Sequence, residues 1–463
     1  MSAQSPLETW FTPFRRDILG QDRYIDTKDG RKPLLYADWT AAGRAYAPIE
    51  RQLQEETLPF FANTHTETTY TGTATTKAYE AAKQTIKTHV NANAGDMLIF
   101  CGTGMTAAVN RLQRLLGLRF PESLTQYTGP INIPERRRPV VFVTHMEHHS
   151  NHISWLETIA TVETIAPDPN GIPDLNHLAH LLEKHKHKKT KIAAITACSN
   201  VTGIETPYHS IAKIMHQHGG YCFVDFAASA PYVDIDMHPN SPGAQLDAIY
   251  FSLHKFLGGP GTPGILVLDK QLCKSSIPDH PGGGTILYSN PWKEHDYVAD
   301  PEAREDGGTP PILQGIKAAH CIRLKEEMGV ANIRRRENEM LKTLFPRLAA
   351  IPGITLLEPK NRNRLAILSF IVRDTHHDAI VKALNDHYGI QTRGGCSCAG
   401  PYGHHLLQID PAYSKEIRQK LQAGDPKSKP GWVRLFLHPT MTTAELDYIA
   451  DAIEATIKIR NFP

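Results

Sequence analysis

From about residue 98 to 267, short and nearly continuous apolar runs alternate with stretches whose apolar residues recur at helical spacing. The runs Met97–Cys101, Val140–Thr144, Ile192–Cys198, Tyr221–Asp225, Ala248–Ser252 and Gly264–Leu268 predict strands. The spacing predicts helices over Met105–Leu116, His149–Ile159, Leu175–Lys184 and Tyr208–His218. Strands this apolar, separated by helices, imply a mainly parallel sheet covered on both faces, an α/β arrangement. Pro278 to Asp306 is rich in Pro, Gly and charge and is expected to be a connection. Helical patterns follow at Ile312–Met328 and Ala331–Ala350. A smaller α+β unit is expected to close the chain. Its elements are Arg364–Val372, a helix His377–Tyr388, Trp432–Leu437 and a helix Thr443–Ile459. Two insertions, Pro121–Pro139 and Tyr402–Pro430, are expected to be irregular.

Several strand exits carry residues suited to chemistry. Lys255 lies in FSLHKFLGGPG, between the largely apolar run Leu246–Phe251 and a glycine-rich turn. An amine held there, away from bulk water, has a lowered pKa and can act as a Schiff-base nucleophile. Phe100 to Thr106 (FCGTGMT) ends a strand and opens a helix, where free N–H groups favour an anion. Asn200 follows one predicted strand and Asp225 ends another. Both fall at carboxyl ends, where ligand crevices open in such sheets. A carboxylate there can hold a protonated pyridine nitrogen, or it can simply cap a helix. Histidines 145, 148, 149 and 152 cluster after another strand, with three readings open: a metal site, a stacking or acid–base histidine, or a polar loop. In Arg393–Pro401 (RGGCSCAGP), two cysteines sit on a glycine-flanked loop beside an arginine. That setting suits a thiolate nucleophile better than zinc, though two buried small residues would read the same way.

Bulk properties narrow the class. The chain has 463 residues, 41% hydrophobic and 21% charged, enough for two or three globular domains. Its net charge of +2 gives no argument for nucleic acid or an anionic membrane. No apolar stretch approaches the ~18 residues of a membrane span, and the start, MSAQSPLETWFTPFRRD, lacks the pattern of a signal peptide. Seven scattered cysteines, an odd count, imply a reducing compartment, hence cytoplasmic localisation. The basic run Lys184–Lys191 is expected to be a solvated helix end.

The segments MEHHSNHISW, SNVTGIETP, VDFAASAPY, FSLHKFLGGPGTPG, PGGGTI, EDGGTPP and RGGCSCAGP occur in that order. Together they resemble the class V aminotransferase-fold enzymes, and more narrowly the group II cysteine desulfurases and selenocysteine lyases. The resemblance runs from Tyr36 to the final helix. It implies the fold type I of pyridoxal phosphate (PLP) enzymes: a large domain at 36–310 with a mainly parallel seven-stranded sheet between helices, and a smaller C-terminal α+β domain at 311–463. The segment 1–35 would pack on the small domain.

By position, the resemblance implies that Lys255 bonds covalently to the cofactor and that His148 stacks on its ring and helps move protons. Asp225 would pair with the ring nitrogen. Asn200 would sit near the ring hydroxyl or the substrate carboxylate. Met105, Thr106, Ser252 and His254 would hold the phosphate, and Thr309 would reach the phosphate of a neighbouring subunit, so a homodimer with shared sites is implied. Arg434, assisted by Arg393, would clamp the substrate carboxylate. Cys398 falls on the sulfur-accepting cysteine. The implied activity converts L-cysteine to L-alanine and leaves a persulfide on Cys398 for an acceptor protein. Another PLP reaction on the same fold is the alternative: a C–S or C–Se lyase, an epimerase or an aminotransferase. A non-catalytic homologue is a third reading, opposed by the intact lysine, aspartate and arginines. No metal is expected.

The chain also departs from the family pattern. Ala228 stands where many relatives have a glutamine, which removes a hydrogen bond to the ring hydroxyl; Ser229 and Asn200 are the side chains placed to compensate. Cys396 and Ser397 stand where this group often has histidines. Cys396 is expected to pack or to relay a persulfide, with metal binding beside Cys398 as the less favoured alternative. The loop before Cys398 lacks the longer insertion of group I desulfurases, so its cysteine would have limited reach. The insertion 402–430, with His404 and His405, would be a lid or a docking surface.

Overall fold

The computed structural model describes residues 5–458 apart from 65 and 67. The predicted end of the last helix at 459 lies outside the described residues. Seven strands form one sheet: β1 (Asp96–Cys101), β2 (Val140–Thr144), β3 (Thr161–Ile165), β4 (Lys191–Thr196), β5 (Tyr221–Asp225), β6 (Ala248–Ser252) and β7 (Gly264–Asp269). Their order is β1-β7-β6-β5-β4-β2-β3. Only β7 runs antiparallel to its neighbours; the other pairs are parallel. This is the mainly parallel, seven-stranded α/β fold expected. Six strands match the expected runs to within two residues at each end. Edge strand β3 (TVETI) was not anticipated, because its polar, half-covered residues lack the apolar run of an interior strand.

The apolar residues of β1, β2, β4, β5, β6 and β7 are almost wholly buried and point alternately into two apolar clusters, one on each face. The chain leaves β2 toward β3 on one side and β4 toward β5 on the other. A crevice therefore opens at the carboxyl ends of β2 and β4, the point where the strand order reverses. His148 and Asn200 follow those two strand ends in sequence.

Another cluster is built from the helices Val330–Ala350, His377–Tyr388 and Thr443–Lys458 around a four-stranded sheet, Ile354–Leu356, Ile367–Val372, Trp432–Phe436 and Arg393–Gly395 in spatial order. The N-terminal helix Pro6–Arg16 docks on these helices. Glu8 accepts from Arg336 Nη2 at 3.0 Å and from Thr443 Oγ1 at 2.6 Å, and Arg15 pairs with Glu445 at 2.7 Å. A long helix, Tyr70–His89, packs against Ile312–Met328. Its threonine-rich sequence hides the apolar stripe.

Three expectations are corrected. The insertion 402–430 is largely helical, with Gly400–Leu406 and Pro411–Gln422 as helices. Prolines at the first turns of both, and the Asp410 carboxylate capping the second, fit the N-terminal rules. The insertion 121–139 holds three short helical turns. The basic run is not uniformly solvated: Lys188 is buried and its ammonium meets the Glu135 carboxylate at 2.7 Å. Between Pro278 and Asp306 the connection forms a hairpin, Ile286–Ser289 with His295–Tyr297.

Candidate active site

The sheet register brings the strand exits together. Thr196 of β4 is opposite Asp225 of β5, Asp225 is opposite Tyr250 of β6, and Gly264 of β7 is opposite both Ser252 and Cys101. Above these ends lies a cavity of about 280 Å³. Of the residues to which the resemblance assigns a role at the cofactor or the substrate, all but Thr309 line it: Met105, Thr106, His148, Asn200, Asp225, Ser252, His254, Lys255, Arg393, Cys398 and Arg434. Thr309 is exposed and stands outside the cavity.

One end of the cavity is a set of donors. The helix Gly104–Leu115 starts there, and its Met105 N–H donates to Ser252 Oγ at 2.7 Å. Thr106 Oγ1 and Ser150 Oγ share a hydrogen bond of 2.7 Å. Gly104 has a φ of +61°, and a Cβ there would lie 2.8 Å from Ser252 Oγ and 3.3 Å from the His254 ring. Backbone and hydroxyls approach this closely only because the position is glycine. Helix-start amides beside hydroxyls form a cradle for a phosphate-sized anion.

At the other end lie the titratable groups. Asp225 is buried and accepts from the Ala227 N–H at 2.8 Å. Desolvation pushes its pKa up to about 7, opposed by that hydrogen bond and by Lys255. Desolvation pushes Lys255 down to about 8, opposed by Asp225. Each group thus holds the other closer to its ionised form. Burial, with Lys255 and His149 adding, pushes His148 down to about 3, so its ring is neutral. His148 also caps the helix His149–Leu156, its Nδ1 accepting from the Ser150 N–H at 3.1 Å. The ring proton therefore resides on Nε2.

Beneath the cavity is a buried polar network that the sequence did not reveal. Glu147 Oε1 accepts from Thr144 N (3.0 Å), Thr144 Oγ1 (2.7 Å) and Thr196 N (2.9 Å), and its Oε2 accepts from Asn151 Nδ2 (2.8 Å). Asn151 Oδ1 in turn accepts from the Tyr250 hydroxyl at 2.7 Å. The network ties β2, β4 and β6 to the helix that His148 caps. Burial raises the Glu147 pKa to about 7.

Arg434 and Arg393 stand opposite one another on paired antiparallel strands. The Asp38 carboxylate lies between them, 3.0 Å from Arg434 Nη2 and 2.8 Å from Arg393 Nε. Asp38 was not singled out from the sequence; its only local signal is a carboxylate in the YADWTAA segment.

The cysteine loop is anchored to the sheet side of the cavity. Asn200 Nδ2 donates to Ser397 O at 2.7 Å, and the His149 N–H donates to Cys398 O at 2.7 Å. The Gly400 N–H donates to His149 Nε2 at 2.8 Å. Ser397 and Cys398 have φ of 52° and 56°, a left-handed conformation that these anchors hold against its steric cost. Cys398 is exposed and Cys396 half-buried. Of the other histidines, His145 packs edge-on to Tyr402 and His405. The four histidines do not converge as metal ligands. Among the described residues, the one group with suitably close ligand atoms is His376, His377 and Asp378.

The site fits pyridoxal phosphate in its donor set. The cradle suits the phosphate, the buried carboxylate suits the ring nitrogen, and the amine suits the aldehyde. Two buried oxygens on residues lining the cavity, Asn200 Oδ1 and Thr40 Oγ1, have no hydrogen-bond partner within the protein, as expected of groups facing a ligand.

Comparison with known proteins gives a consistent result. The aminotransferase class-V family matches residues 35–449. A probable cysteine desulfurase of Halalkalibacterium halodurans is 31% identical over 386 residues, covering 81% of this chain and 87% of that protein. One of Staphylococcus aureus is 30% identical over 385 residues, covering 81% and 86%. Among solved structures, a cysteine desulfurase from Thermococcus onnurineus superposes with a TM-score of 0.76 at 23% identity, covering 96% of this chain and 98% of that one. A cysteine desulfurase of Escherichia coli superposes with a TM-score of 0.73 at 19% identity, covering 97% and 98%.

Proposed function

The chain belongs to the class V aminotransferase family, in its cysteine desulfurase-like branch, and from that premise we propose that it converts L-cysteine to L-alanine with the sulfur left as a persulfide on Cys398. The observation that carries this reading is the convergence of Lys255, Asp225, Arg434 and Cys398 on one cavity. When bound, pyridoxal phosphate supplies an electron sink conjugated to the substrate α-carbon.

The chain's own residues do the rest. Met105, Thr106, Ser252 and His254 would hold the phosphate, and Asp225 would accept a hydrogen bond from the protonated ring nitrogen. The neutral His148, which lines the cavity, would stack on the ring and offer its Nε2 proton. Lys255 would hold the cofactor's aldehyde carbon and would be the base for the substrate α-proton; a pKa of about 8 leaves part of it neutral near pH 7. Arg434, with Arg393, binds the substrate carboxylate, and Asn200 positions it. The Cys398 sulfur attacks the substrate sulfur: an S–S bond forms as the substrate Cβ–S bond breaks, and the carbon side is protonated. The balance is L-cysteine plus the Cys398 thiol giving L-alanine plus the Cys398 persulfide.

The wider proposal has a large domain at 36–310, a small domain at 311–463 and a 1–35 segment on the small one. It has a homodimer in which exposed Thr309 reaches the partner's phosphate, and a sulfur-accepting protein. It is set in the cytoplasm, which suits seven cysteines that are all free thiols.

The experiment is alanine release from L-cysteine by PLP-loaded protein, with and without a thiol reductant, beside Cys398→Ala. Reductant-stimulated alanine that disappears in the variant, with PLP retained, supports the proposal. Undiminished alanine in the variant overturns the persulfide step. One observation favours a second reading, a different PLP reaction such as C–S or C–Se cleavage, epimerisation or transamination: Ala228, a methyl without hydrogen-bonding capacity, lines the cavity. Amino transfer to a 2-oxo acid by Cys398→Ala would establish it.

A further inference from the structure

Two guanidinium groups opposed across a strand pair repel one another unless something lies between them. Here it is Asp38, whose two oxygens are divided between Arg434 Nη2 (3.0 Å) and Arg393 Nε (2.8 Å). The geometry is built by backbone. Strand Leu35–Tyr36 pairs in parallel with Ile390–Gln391, just ahead of Arg393. The Ala37 N–H donates to Gln391 O at 2.9 Å, and Ala37 O accepts from the Phe436 N–H at 2.8 Å on the strand that bears Arg434. Asp38 is thus wedged between the segments carrying both arginines. Its own carbonyl accepts from the Ala41 N–H at 2.9 Å, folding Thr40 and Ala41 onto the cavity wall.

The charges have a simple consequence. Arg434 and Asp38 are buried, whereas Arg393 is half exposed. Arg434 Nη1 is taken by Asn200 O at 3.1 Å. Two positive groups and one negative leave a single net positive charge at this end of the cavity, matched by one ligand carboxylate. The other charged groups of the cavity, Lys255 and Asp225, are those proposed to hold the cofactor. A second ligand carboxylate would face Asp38 without a cation of its own.

We propose that Asp38 is a specificity-determining residue, which neutralises one arginine of the carboxylate clamp and restricts the site to amino acids with a single carboxylate. This rests on the reading of Arg434 and Arg393 as that clamp. Asp38 acts through the arginines' charge rather than by touching the reacting atoms.

The test is equilibrium binding of L-alanine and L-aspartate to the PLP-loaded protein, followed by the cofactor's absorbance and by calorimetry. Wild type binds L-alanine more tightly. In Asp38→Asn the ratio of the L-aspartate to the L-alanine dissociation constant falls about tenfold, as for one charge acting ~10 Å away at intermediate dielectric. Arg393→Gln removes a positive charge instead, so the ratio rises; it keeps the proposal testable if Asp38→Asn does not fold. The double variant returns the ratio toward wild type. A ratio unmoved in both single variants overturns the inference. Arg434→Ala separates the two levels. If it abolishes L-alanine binding while the ratio in Asp38→Asn is unmoved, the clamp stands and the role of Asp38 falls. If L-alanine binds Arg434→Ala as well as wild type, the clamp itself is wrong, and the inference falls with it.

Discussion

The side-chain amide of Asn200 donates to the carbonyl oxygen of Ser397 at 2.7 Å, joining the end of β4 to the cysteine loop across 197 positions of sequence. Asn200 Nδ2 is thereby committed to the protein, while its Oδ1 is buried without a partner. One residue thus both lines the cavity and holds the cysteine loop.

That tether predicts the effect of Asn200→Ala. Losing one hydrogen bond, worth about 1 kcal/mol, loosens a loop already held in a left-handed conformation. Cys398 in the variant should be alkylated several-fold faster by iodoacetamide than in wild type, on the order of the fivefold that ~1 kcal/mol corresponds to. Equal rates would mean that the tether does not restrain the cysteine.

Gly104→Ala tests the anion cradle. The added methyl would fall 2.8 Å from Ser252 Oγ at a φ of +61°, so strain of about 1–3 kcal/mol is expected. The dissociation constant for pyridoxal phosphate, titrated into the cofactor-free protein, should rise by about tenfold or more. An unchanged constant would remove Gly104 and Ser252 from the phosphate site.

The Lys255 pKa makes stability depend on pH. It is about 8 in the folded chain and 10.5 ordinarily. Between those values the unfolded chain binds more protons, so stability rises with pH across the window and levels off above it. In Lys255→Met this part of the slope is lost. Urea unfolding of the cofactor-free proteins from pH 8 to 10.5 should give a wild-type curve steeper by at most about 1.4 kcal/mol per pH unit. Parallel curves would show that Lys255 titrates in the folded chain as in water.

Arg364 is a structural counterpart to these site residues. It is buried and donates to Thr202 O (3.1 Å), Leu357 O (3.2 Å), Asn361 O (2.7 Å) and Glu358 O. It binds the turn after Asn200 to the four-stranded sheet. Arg364→Ala strands several carbonyls at once and should cost on the order of 3 kcal/mol, read as a lowered urea midpoint. A midpoint within error of wild type would show that water replaces the guanidinium there.

The interior strands were legible because each is buried on both faces and must be apolar along its length, as Val140–Thr144 and Ala248–Ser252 are. Edge strand Thr161–Ile165 and the helix Tyr70–His89 were not, since polar and threonine-rich positions weaken the periodic signal. The insertion 402–430 looked irregular from its Gly, Pro and charge, yet Tyr402 is buried with its hydroxyl 3.2 Å from Thr202 Oγ1. One long-range contact organises a helix that local composition does not announce.

The sequence by itself determined the alternation of strand and helix and the order of the site motifs, because both depend on neighbours a few positions apart. It placed Lys255, Asp225 and Asn200 at strand exits for the same reason. The tertiary structure alone decided that Asp38 stands between Arg393 and Arg434, at separations of 355 and 396 residues. It also decided that Glu147 gathers donors from β2, β4 and the helix beyond. Such contacts depend on which strands pair and in what register, and no local pattern of apolar and polar positions encodes that choice.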